Sequence, residues 1–416
     1  MDTPILLELL GYLCTPGRTG GQDMVAAYET AFAETIMGGA PYRCVAFWRG
    51  RVALWTILEA AGIGPGAEVV LPAYTCEVVP AAVRYSGADC VYYDLASRGF
   101  SSSVTQVGAL VTPRTRLVLC QHTYGIRGDT AGLRSLCDRA DILLVEDCCQ
   151  AIMHGHATGT VGDAAFFSTQ WNKPYSTGFG GMAAVRDSDL YERIRARRDG
   201  FSRRDAVQRG VSLTAQLLLH HLVGRGASRG RVAEAYRAAQ RLRLLRDTSA
   251  PEEQSDGMPT DYAAGAINVQ AAMGLRALAG WPENMAHRRL LTDHYLEHLD
   301  SRWVGPETHA AAIAGPLWAV PLLVRNKDAV VATARRLGLP VHTWFGRVPA
   351  HVAPDTCARY GYTRGQCPSA ERMFSREVHL PTSPFVTPAR AARAVEWLRS
   401  AGVVEPQDAV FPPTGG

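Results

Sequence analysis

The stretch ILLVEDCCQAIMHGHATGTVGDAAFFSTQWNKPYSTGFGG, residues 142–181, decides the fold of this chain. Its first apolar run ends in two acids, Glu146 and Asp147, and a second run at 164–168 is followed closely by Lys173. Short apolar runs that alternate with helices predict buried strands of a parallel sheet. Because ligands bind beyond the carboxyl ends of such strands, Asp147 and Lys173 are expected to face one site.

Helices and strands alternate on both sides of this stretch, which predicts an α/β fold with a mainly parallel sheet covered on both faces. Residues 1–280 are expected to form a large domain with a helical insertion at about 201–260, and residues 281–416 a smaller C-terminal α+β domain. The predicted helices are 22–38, 50–61, 77–86, 130–139, 284–300, 328–337 and 388–401, and the predicted strands are 68–71, 90–95, 116–122, 142–147, 164–168, 182–186 and 319–324.

Composition and charge are those of an ordinary globular protein. The 416 residues are 47% hydrophobic and 20% charged, and a net charge of +4 gives no reason to expect nucleic acid as a partner. No apolar stretch approaches the roughly 18 residues of a membrane span, and Asp2 and Glu8 are unlike a signal peptide. The ten cysteines lack metal-ligand spacing, which predicts free thiols and no metal site. We therefore expect a cytoplasmic protein without a membrane span.

The insertion at 201–260 is rich in arginine and holds one apolar patch, LTAQLLLHHLV at 213–223. A helical pair packed against the core or a partner subunit is the favoured interpretation. A surface for a polyanionic substrate is the second. Membrane contact is the third, and the shortness of the apolar run disfavours it.

Lysine is scarce in this chain. Of 43 basic residues only two are lysines, Lys173 and Lys327. Arginine can replace lysine on a surface, but its pKa is too high for it to lose a proton and form an imine. Either lysine is therefore a candidate for chemistry. Lys327 follows a predicted strand in the sequence RNKD, where a solvated turn is expected.

Other features near the predicted strand ends point to a bound anion and a bound cation. GRVAL at 50–54 opens a helix whose exposed amides favour a phosphate. A buried Asp147 needs a partner such as a protonated pyridine nitrogen, although a helix N-cap is the alternative. Ser168 is either a phosphate ligand or a turn serine, and the glycines at 177–181 permit close approach of the backbone to a ligand.

Together these motifs resemble the DegT/StrS-type sugar aminotransferases, a family of fold type I enzymes that use pyridoxal 5′-phosphate. The resemblance covers roughly residues 30–400, apart from much of the insertion. It rests on GIGPGAEVVLPAYT (62–75), QHTYG (121–125), EDCCQA (146–151), HGHATGTVGDAAFFS (154–168), KPYSTGFGG (173–181), INVQAAMGLRAL (267–278) and HLPTSPFVTP (379–388).

The resemblance implies a role for each site residue. Lys173 would carry the cofactor as a Schiff base and move protons, Asp147 would pair with the ring nitrogen, and Gln150 would contact the ring or its phenolic oxygen. His122 and Tyr124 are expected near the substrate, with a purely structural role left open for His122. The expected phosphate ligands are Ser168 and the helix start formed by Gly50, Arg51 and Val52.

The sequence departs from the family pattern at three places. Arg49–Val52 reads RGRV where the family has Ser-Gly-Thr-Ala, so Arg51 either binds the phosphate by charge or faces solvent. Cys76 stands at the cofactor where the family often places an aromatic that stacks on the ring. Residues 263–266 read AAGA in place of Asn-Tyr-Arg-Met, whose asparagine reaches the phosphate of the partner subunit.

The activity implied is transfer of an amino group from glutamate or glutamine to a keto sugar, expected to be nucleotide-linked, or to a keto cyclitol. A homodimer is also implied. Two alternatives stay open: a lyase or dehydratase on the same scaffold, and a non-catalytic homologue that binds the cofactor. Relatives that dehydrate deoxysugars usually have histidine at the position of Lys173, which favours amino transfer.

Overall fold

The computed structural model describes residues 23–39, 41–96, 99–101, 103–152, 158–225, 257–343 and 354–411. Within them the larger sheet has seven strands in the order β1-β7-β6-β5-β4-β2-β3. Strands β2 to β6 pair in parallel, whereas β7 runs antiparallel to both β6 and β1. The strands are β1 (Arg43–Phe47), β2 (Glu68–Pro72), β3 (Asp89–Tyr93), β4 (Thr115–Gln121), β5 (Leu143–Asp147), β6 (Ala164–Ser168) and β7 (Gly181–Val185).

The helices between these strands form where the sequence supplies caps and an apolar side. Asp129, for example, caps one helix by accepting from the amide of Gly132, and Asp141 ends that helix with a left-handed φ of 53°. The helices of this part are α1 (Asp23–Thr35), α2 (Gly50–Ala60), α3 (Val78–Tyr85), α4 (Val104–Ala109), α5 (Thr130–Ala140), α6 (Ser188–Asp199), α7 (Ala206–Arg225) and α8 (Asn268–Ala279). The predicted α/β fold with a mainly parallel sheet is confirmed.

Strand β1 was missed from the sequence, although it forms the edge beside β7. Its five residues carry no alternation, because all but Arg43 are buried. Residues 263–266 run along its outer edge: the amide of Trp48 donates to Ala264 O (3.0 Å), and the amide of Ala266 donates to Ala46 O (3.3 Å).

The first helix of the insertion, α7, packs on the core. Leu213 and Leu217 are buried in one cluster with Trp48 and Phe179. The interpretation of a core-packed helix therefore applies to α7. The rest of the predicted insertion, except for residues 257–260 at its end, lies outside the described residues. This part is residues 226–256.

A second, antiparallel sheet follows position 280 in the chain, with strand order β10-β8-β9. The proposed boundary at 280 therefore falls between the strands of the two sheets. No helix in the described segments is long and apolar enough to cross a membrane. The elements are α9 (Trp281–His298), α10 (Pro306–Ala314), β8 (Ala319–Val324), α11 (Lys327–Arg336), α12 (Pro354–Arg359), α13 (Pro368–Arg376), β9 (Glu377–Pro381), α14 (Pro388–Ala401), β10 (Val404–Glu405) and α15 (Gln407–Val410).

Candidate active site

One cavity lies at the carboxyl ends of the parallel strands and collects most of the predicted site residues. It is lined by Gly50, Arg51, Cys76, His122, Asp147, Gln150, Ser168 and Lys173. The cavity is also lined by Gly180, from the glycine-rich stretch 177–181, and by residues for which the sequence predicted no role: Arg49, Glu77, Val78, Val79, Gln121, Cys149, Phe166, Gln170 and Phe179. Two predicted residues, Val52 and Tyr124, are buried but do not line this cavity.

Asp147 ends β5 and is only 5% exposed. One of its carboxylate oxygens accepts a hydrogen bond from the amide of Cys149 (2.9 Å). Burial raises the pKa of Asp147, while the hydrogen bond from Cys149 and the nearby Lys173 act in the opposite direction. A carboxylate in this position is stabilised further by a cation in the cavity.

The start of α2 lies directly against the ends of β6 and β7. A Cβ atom on Gly50 would lie 3.0 Å from both Phe167 O and Ser168 Cβ. Gly181 is tighter still, since its Cβ would lie 2.4 Å from Cα and N of Gly50. These two glycines let the first turn of α2 pack directly against the backbone at the end of β6 and the start of β7.

We expect Gly181→Ala to weaken anion binding at this corner and to destabilise the protein by about 1–3 kcal/mol, because the added methyl group meets backbone rather than a movable side chain. Gly257→Ala is the matched control, since a Cβ there meets nothing within 4 Å. Thermal unfolding and phosphate-competition titrations measure both effects. Equal behaviour of the two variants would contradict this account of the corner.

Two arginines face this corner. Arg49 is 9% exposed and Arg51 7%, so Arg51 does not project into solvent. Arg49 precedes α2 and makes no side-chain cap for it, and an arginine side chain has no acceptor to offer. The early amides of a helix lack intrahelical acceptors, so an anion is the natural cap for this helix start.

Lys173 lies on the loop between β6 and β7. Its amide donates to Gln170 O (2.9 Å). The base of the loop is closed by Thr169 and Thr177, whose hydroxyl groups are 2.7 Å apart. From α8, Gln270 Nε2 donates to Phe179 O (2.7 Å) and to Trp48 O (3.1 Å), which ties the glycine-rich end of the loop to the start of α2.

The hydrogen bonds of His122 define its tautomer. Gly128 N–H donates to Nδ1 (3.1 Å), so Nε2 carries the proton and donates to Glu146 (2.9 Å). Both ring nitrogens are thereby engaged by the protein, as the structural role left open for this histidine would require. His122, Glu146 and Cys148 lie close enough for a metal, but these hydrogen bonds already occupy the histidine nitrogens.

Glu146 is the buried hydrogen-bond partner of His122, and the sequence predicted no role for it. It accepts from His122 and from the amides of Gly159 (3.0 Å), Val161 (2.9 Å) and Gly162 (2.7 Å). Burial alone would raise the pKa of Glu146, but the hydrogen bond from His122 and those from the amides outweigh it, and the pKa is lowered. The adjacent acids of β5 thus differ: Glu146 is fully bonded, whereas Asp147 lines the cavity.

Gln150 and Tyr124 are joined to each other. Gln150 Oε1 accepts from the amide of Tyr124 (2.8 Å), so its NH₂ group is the part that can donate to a ligand oxygen. Tyr124 has a positive φ of 59° and its hydroxyl group meets that of Tyr74 at 3.1 Å. Its ring stacks on Trp318 with centroids 5.8 Å apart.

Cys76 takes the position expected for an aromatic ring. It lines the cavity beside Cys149, and burial raises the pKa of its thiol, opposed by Arg51 and Lys173 among others. Burial therefore favours the thiol over the thiolate at this position. Among the described lining residues the aromatic rings belong to Phe166, Phe179 and His122.

Lys327, the other lysine, lies outside this cavity. The expectation of a solvated turn was wrong: Lys327 begins α11, and its ammonium group donates to Phe374 O and lies 3.8 Å from the centroid of the Phe374 ring. Burial lowers its pKa. Its contacts are those of a cation packed on an aromatic ring, about 0.5–1 kcal/mol at a partly exposed site.

The donor set fits pyridoxal 5′-phosphate. Arg51, Ser168 and the start of α2 suit a phosphate, and Asp147 suits a protonated ring nitrogen. Lys173 is the only amine among the residues that line the cavity. When bound, this cofactor supplies an aldehyde that accepts an amine and a ring that withdraws electrons.

Comparison with known proteins identifies a family that matches most of the chain. The model of the DegT/DnrJ/EryC1/StrS aminotransferase family matches residues 17–221 and 233–399. The chain is 34% identical to the GDP-perosamine synthase of Escherichia coli O157:H7 over 342 residues, 81% of this chain and 80% of that protein. It is 30% identical to the L-glutamine:2-deoxy-scyllo-inosose aminotransferase of Streptomyces fradiae over 348 residues, 80% of this chain and 74% of that protein.

Shorter alignments span under half of two other curated relatives, 46% and 42% of their lengths. Among solved structures, the aminotransferase from Psychrobacter cryohalolentis superposes with a TM-score of 0.72 over 97% of both chains at 19% identity. At that identity the superposition supports the fold alone.

Proposed function

Because the chain belongs to the DegT/DnrJ/EryC1/StrS aminotransferase family, we propose that it is a pyridoxal-phosphate-dependent aminotransferase that moves an amino group from glutamate or glutamine to a keto sugar or keto cyclitol. The observation that carries the proposal is the single cavity in which Lys173, Asp147, Ser168 and the start of α2 meet. The relatives named above are aminotransferases, which favours amino transfer over dehydration.

Each of these site residues is proposed to act through one atom or polar group of its side chain. Lys173 Nζ would hold the cofactor at its aldehyde carbon, with loss of water, and as the free amine it would move a proton between carbon atoms. The Asp147 carboxylate holds a proton on the ring nitrogen. The NH₂ group of Gln150 would donate a hydrogen bond to the phenolic oxygen, and the hydroxyl group of Ser168 would donate one to the phosphate. His122 is held at the wall of the cavity by its hydrogen bonds with Glu146 and with the amide of Gly128.

The acceptor class follows from the relatives. One acts in synthesis of a GDP-linked amino sugar, by its name, and the other aminates a scyllo-inosose. We propose a nucleotide-linked keto sugar as the first acceptor to test and a keto cyclitol as the second. We propose that the chain acts in amino sugar or aminocyclitol biosynthesis, as part of secondary metabolism.

The amino donor is tested in a half-reaction. Glutamine and glutamate are added separately to the protein loaded with pyridoxal 5′-phosphate, and loss of the visible absorbance of the lysine-linked cofactor is followed. One of them is expected to bleach it and to yield the corresponding keto acid. No bleaching with either donor would contradict the proposed activity.

Arg51 is proposed to replace the small hydroxyl residue of the family at the phosphate. We expect Arg51→Ala to weaken cofactor binding by roughly 1.5–3 kcal/mol, the range for a hydrogen bond to a charged group. Equilibrium titration with the cofactor measures this, and Arg84→Ala, on the exposed side of α3, is the control. Unchanged affinity in Arg51→Ala would exclude a phosphate role.

We propose a homodimer with each site near the subunit boundary. Besides the family resemblance, α7 supports this proposal. Its side chains Val207 and Val211 are 46% and 36% exposed, as expected of a helix that packs against a partner subunit. Residues 263–266 offer only methyl groups and hydrogens, so the partner is not expected to reach the phosphate through them. A monomer that stays fully active at micromolar concentration would contradict the dimer.

A cytoplasmic location is proposed for the same chain. Nine cysteines fall in the described residues, and none of these forms a disulfide. That state suits a reducing compartment.

A further inference from the structure

The peptide carbonyls on both sides of Lys173 accept hydrogen bonds from residues more than 100 positions further along the chain. We propose that Arg288, Asn284 and Trp318 form a brace that positions Lys173 for its work. The proposal rests on the function proposed above for Lys173. These three are positioning residues, since none of them lines the cavity.

Arg288 is the centre of the brace. It lies on α9 and is 2% exposed. Its Nη2 donates to Pro174 O (2.8 Å), its Nε to Asn284 Oδ1 (2.9 Å) and its Nη1 to Thr382 Oγ1 (3.1 Å). No carboxylate within ion-pair distance is found for it among the described residues.

A buried guanidinium group without a carboxylate is costly to desolvate, and only its hydrogen bonds offset that cost. The planar fork of arginine meets three acceptors at fixed angles, which lysine cannot do. If position 288 of α9 served only for packing, an apolar side chain would stabilise the fold better than arginine. The arrangement therefore indicates a role in fixing the carbonyl of Pro174.

Asn284 completes this half of the brace. It lies one turn before Arg288, and its Nδ2 donates to the same carbonyl, Pro174 O (2.9 Å). The carbonyl that follows Lys173 thus receives two donors. Proline has no amide hydrogen, so this carbonyl is the only backbone hydrogen-bonding group through which Pro174 can be held.

Trp318 holds the other side of the lysine. It immediately precedes β8, and its indole Nε1 donates to Asn172 O (3.0 Å). Its own amide donates to Tyr124 O (3.0 Å). The indole is therefore fixed against the turn that follows β4 as well as against the lysine loop.

Thr382 joins the two halves. Its hydroxyl oxygen accepts from Arg288, and its hydroxyl hydrogen is shared between Leu317 O (2.6 Å) and Trp318 O (3.0 Å). Thr382 immediately follows β9. The small sheet is thereby linked to both carbonyls that flank Lys173.

The brace matters because Lys173 lies on a loop. Asp147 and Ser168 are held by the ladder of the large sheet, whereas Asn172, Lys173 and Pro174 lie outside it. Misplacement of a reacting group by about 1 Å can cost on the order of 100-fold in rate. Contacts with the carbonyls on either side limit the positions that the lysine can take.

The test uses Trp318→Phe, which keeps a ring and removes one donor, with Asn284→Ala and Arg288→Met. We expect kcat to fall by ~10-fold or more while KM for the amino donor stays within about 3-fold, because geometry rather than binding is altered. Covalent attachment of pyridoxal 5′-phosphate to Lys173, trapped with borohydride over time, is expected to slow. Amide exchange across 170–178 in the cofactor-free protein is expected to quicken.

Arg289→Met is the matched control on the same helix. Its side chain bonds to Asp293 and to Ala312 O, away from the lysine loop. It is expected to leave kcat, trapping and exchange as in the wild type. If Arg288→Met fails to fold, Trp318→Phe and Asn284→Ala decide the question.

Variants that lower only the unfolding temperature, with normal kcat, trapping and exchange, would overturn the brace. A wild-type protein that never traps the cofactor on Lys173 would instead overturn the proposed function. In that case the exchange experiment still reports whether these side chains hold the loop.

Discussion

Lys173→Ala is expected to lose amino transfer by roughly 10⁴-fold or more, since proton transfer by a positioned side chain contributes up to about that factor and covalent attachment is lost as well. The cofactor is still expected to bind through Arg51, Ser168 and Asp147, but without a covalent bond to the protein. Lys173→Arg should be no better, because a guanidinium group stays charged and forms no imine. Steady-state assays and gel filtration of the loaded protein measure both properties.

Lys327→Ala is the control for this experiment. Because Lys327 donates to Phe374 O and packs on the Phe374 ring, its loss is expected to cost about 1 kcal/mol of stability and little activity. Comparable losses of activity in Lys173→Ala and Lys327→Ala would show that the effect is one of folding. Substantial activity in Lys173→Ala would exclude it as the catalytic amine.

Asp147→Asn is expected to keep the fold and to lower kcat by roughly 10²–10³-fold, the size found when one preorganised electrostatic partner is removed. The amide cannot hold the ring nitrogen in its protonated form, so the ring withdraws electrons less strongly. Asp141→Asn is the control: it makes the same change at an exposed left-handed helix end that asparagine tolerates. Turnover near the wild-type value in Asp147→Asn would mean that the nitrogen partner is another residue.

The pH dependence of cofactor binding gives a second check on Asp147. Burial raises the pKa of this carboxyl in the cofactor-free protein, so the ionised form that pairs with a cation is lost at a higher pH than for an ordinary aspartate. Affinity for the cofactor is therefore expected to fall as pH drops through that raised pKa. In Asp147→Asn this part of the pH dependence is expected to vanish.

Much of the site was predictable because several of its residues lie at the carboxyl ends of strands, which an apolar run marks in the sequence. An apolar run that ends in Asp147 and another that ends in Ser168 are neighbours in the sheet, with Asp147 opposite Phe166. Helix α2, with Gly50 at its start, follows from its apolar side and from Gly62, which takes a positive φ of 72° after the helix. These are local signals that a sequence displays directly.

The features that were missed depend on contacts across the chain. Strand β1 is short and almost wholly buried, so it shows no period of two. Arg288 is one arginine among many in the sequence, and only its position 114 residues from Pro174 in the chain, yet 2.8 Å away in space, gives it a role. The role of Glu146 likewise depends on residues later in the chain, since the amides of Gly159, Val161 and Gly162 donate to it.

Locating the bound cofactor tests most directly whether Lys173 is the residue that carries it. The purified protein is loaded with pyridoxal 5′-phosphate, reduced with borohydride and digested, and the modified peptide is identified by mass spectrometry. We expect one modified residue, Lys173, in the peptide that contains WNKPYSTGFGG. Cofactor fixed on Lys327, or on neither lysine, would contradict this expectation.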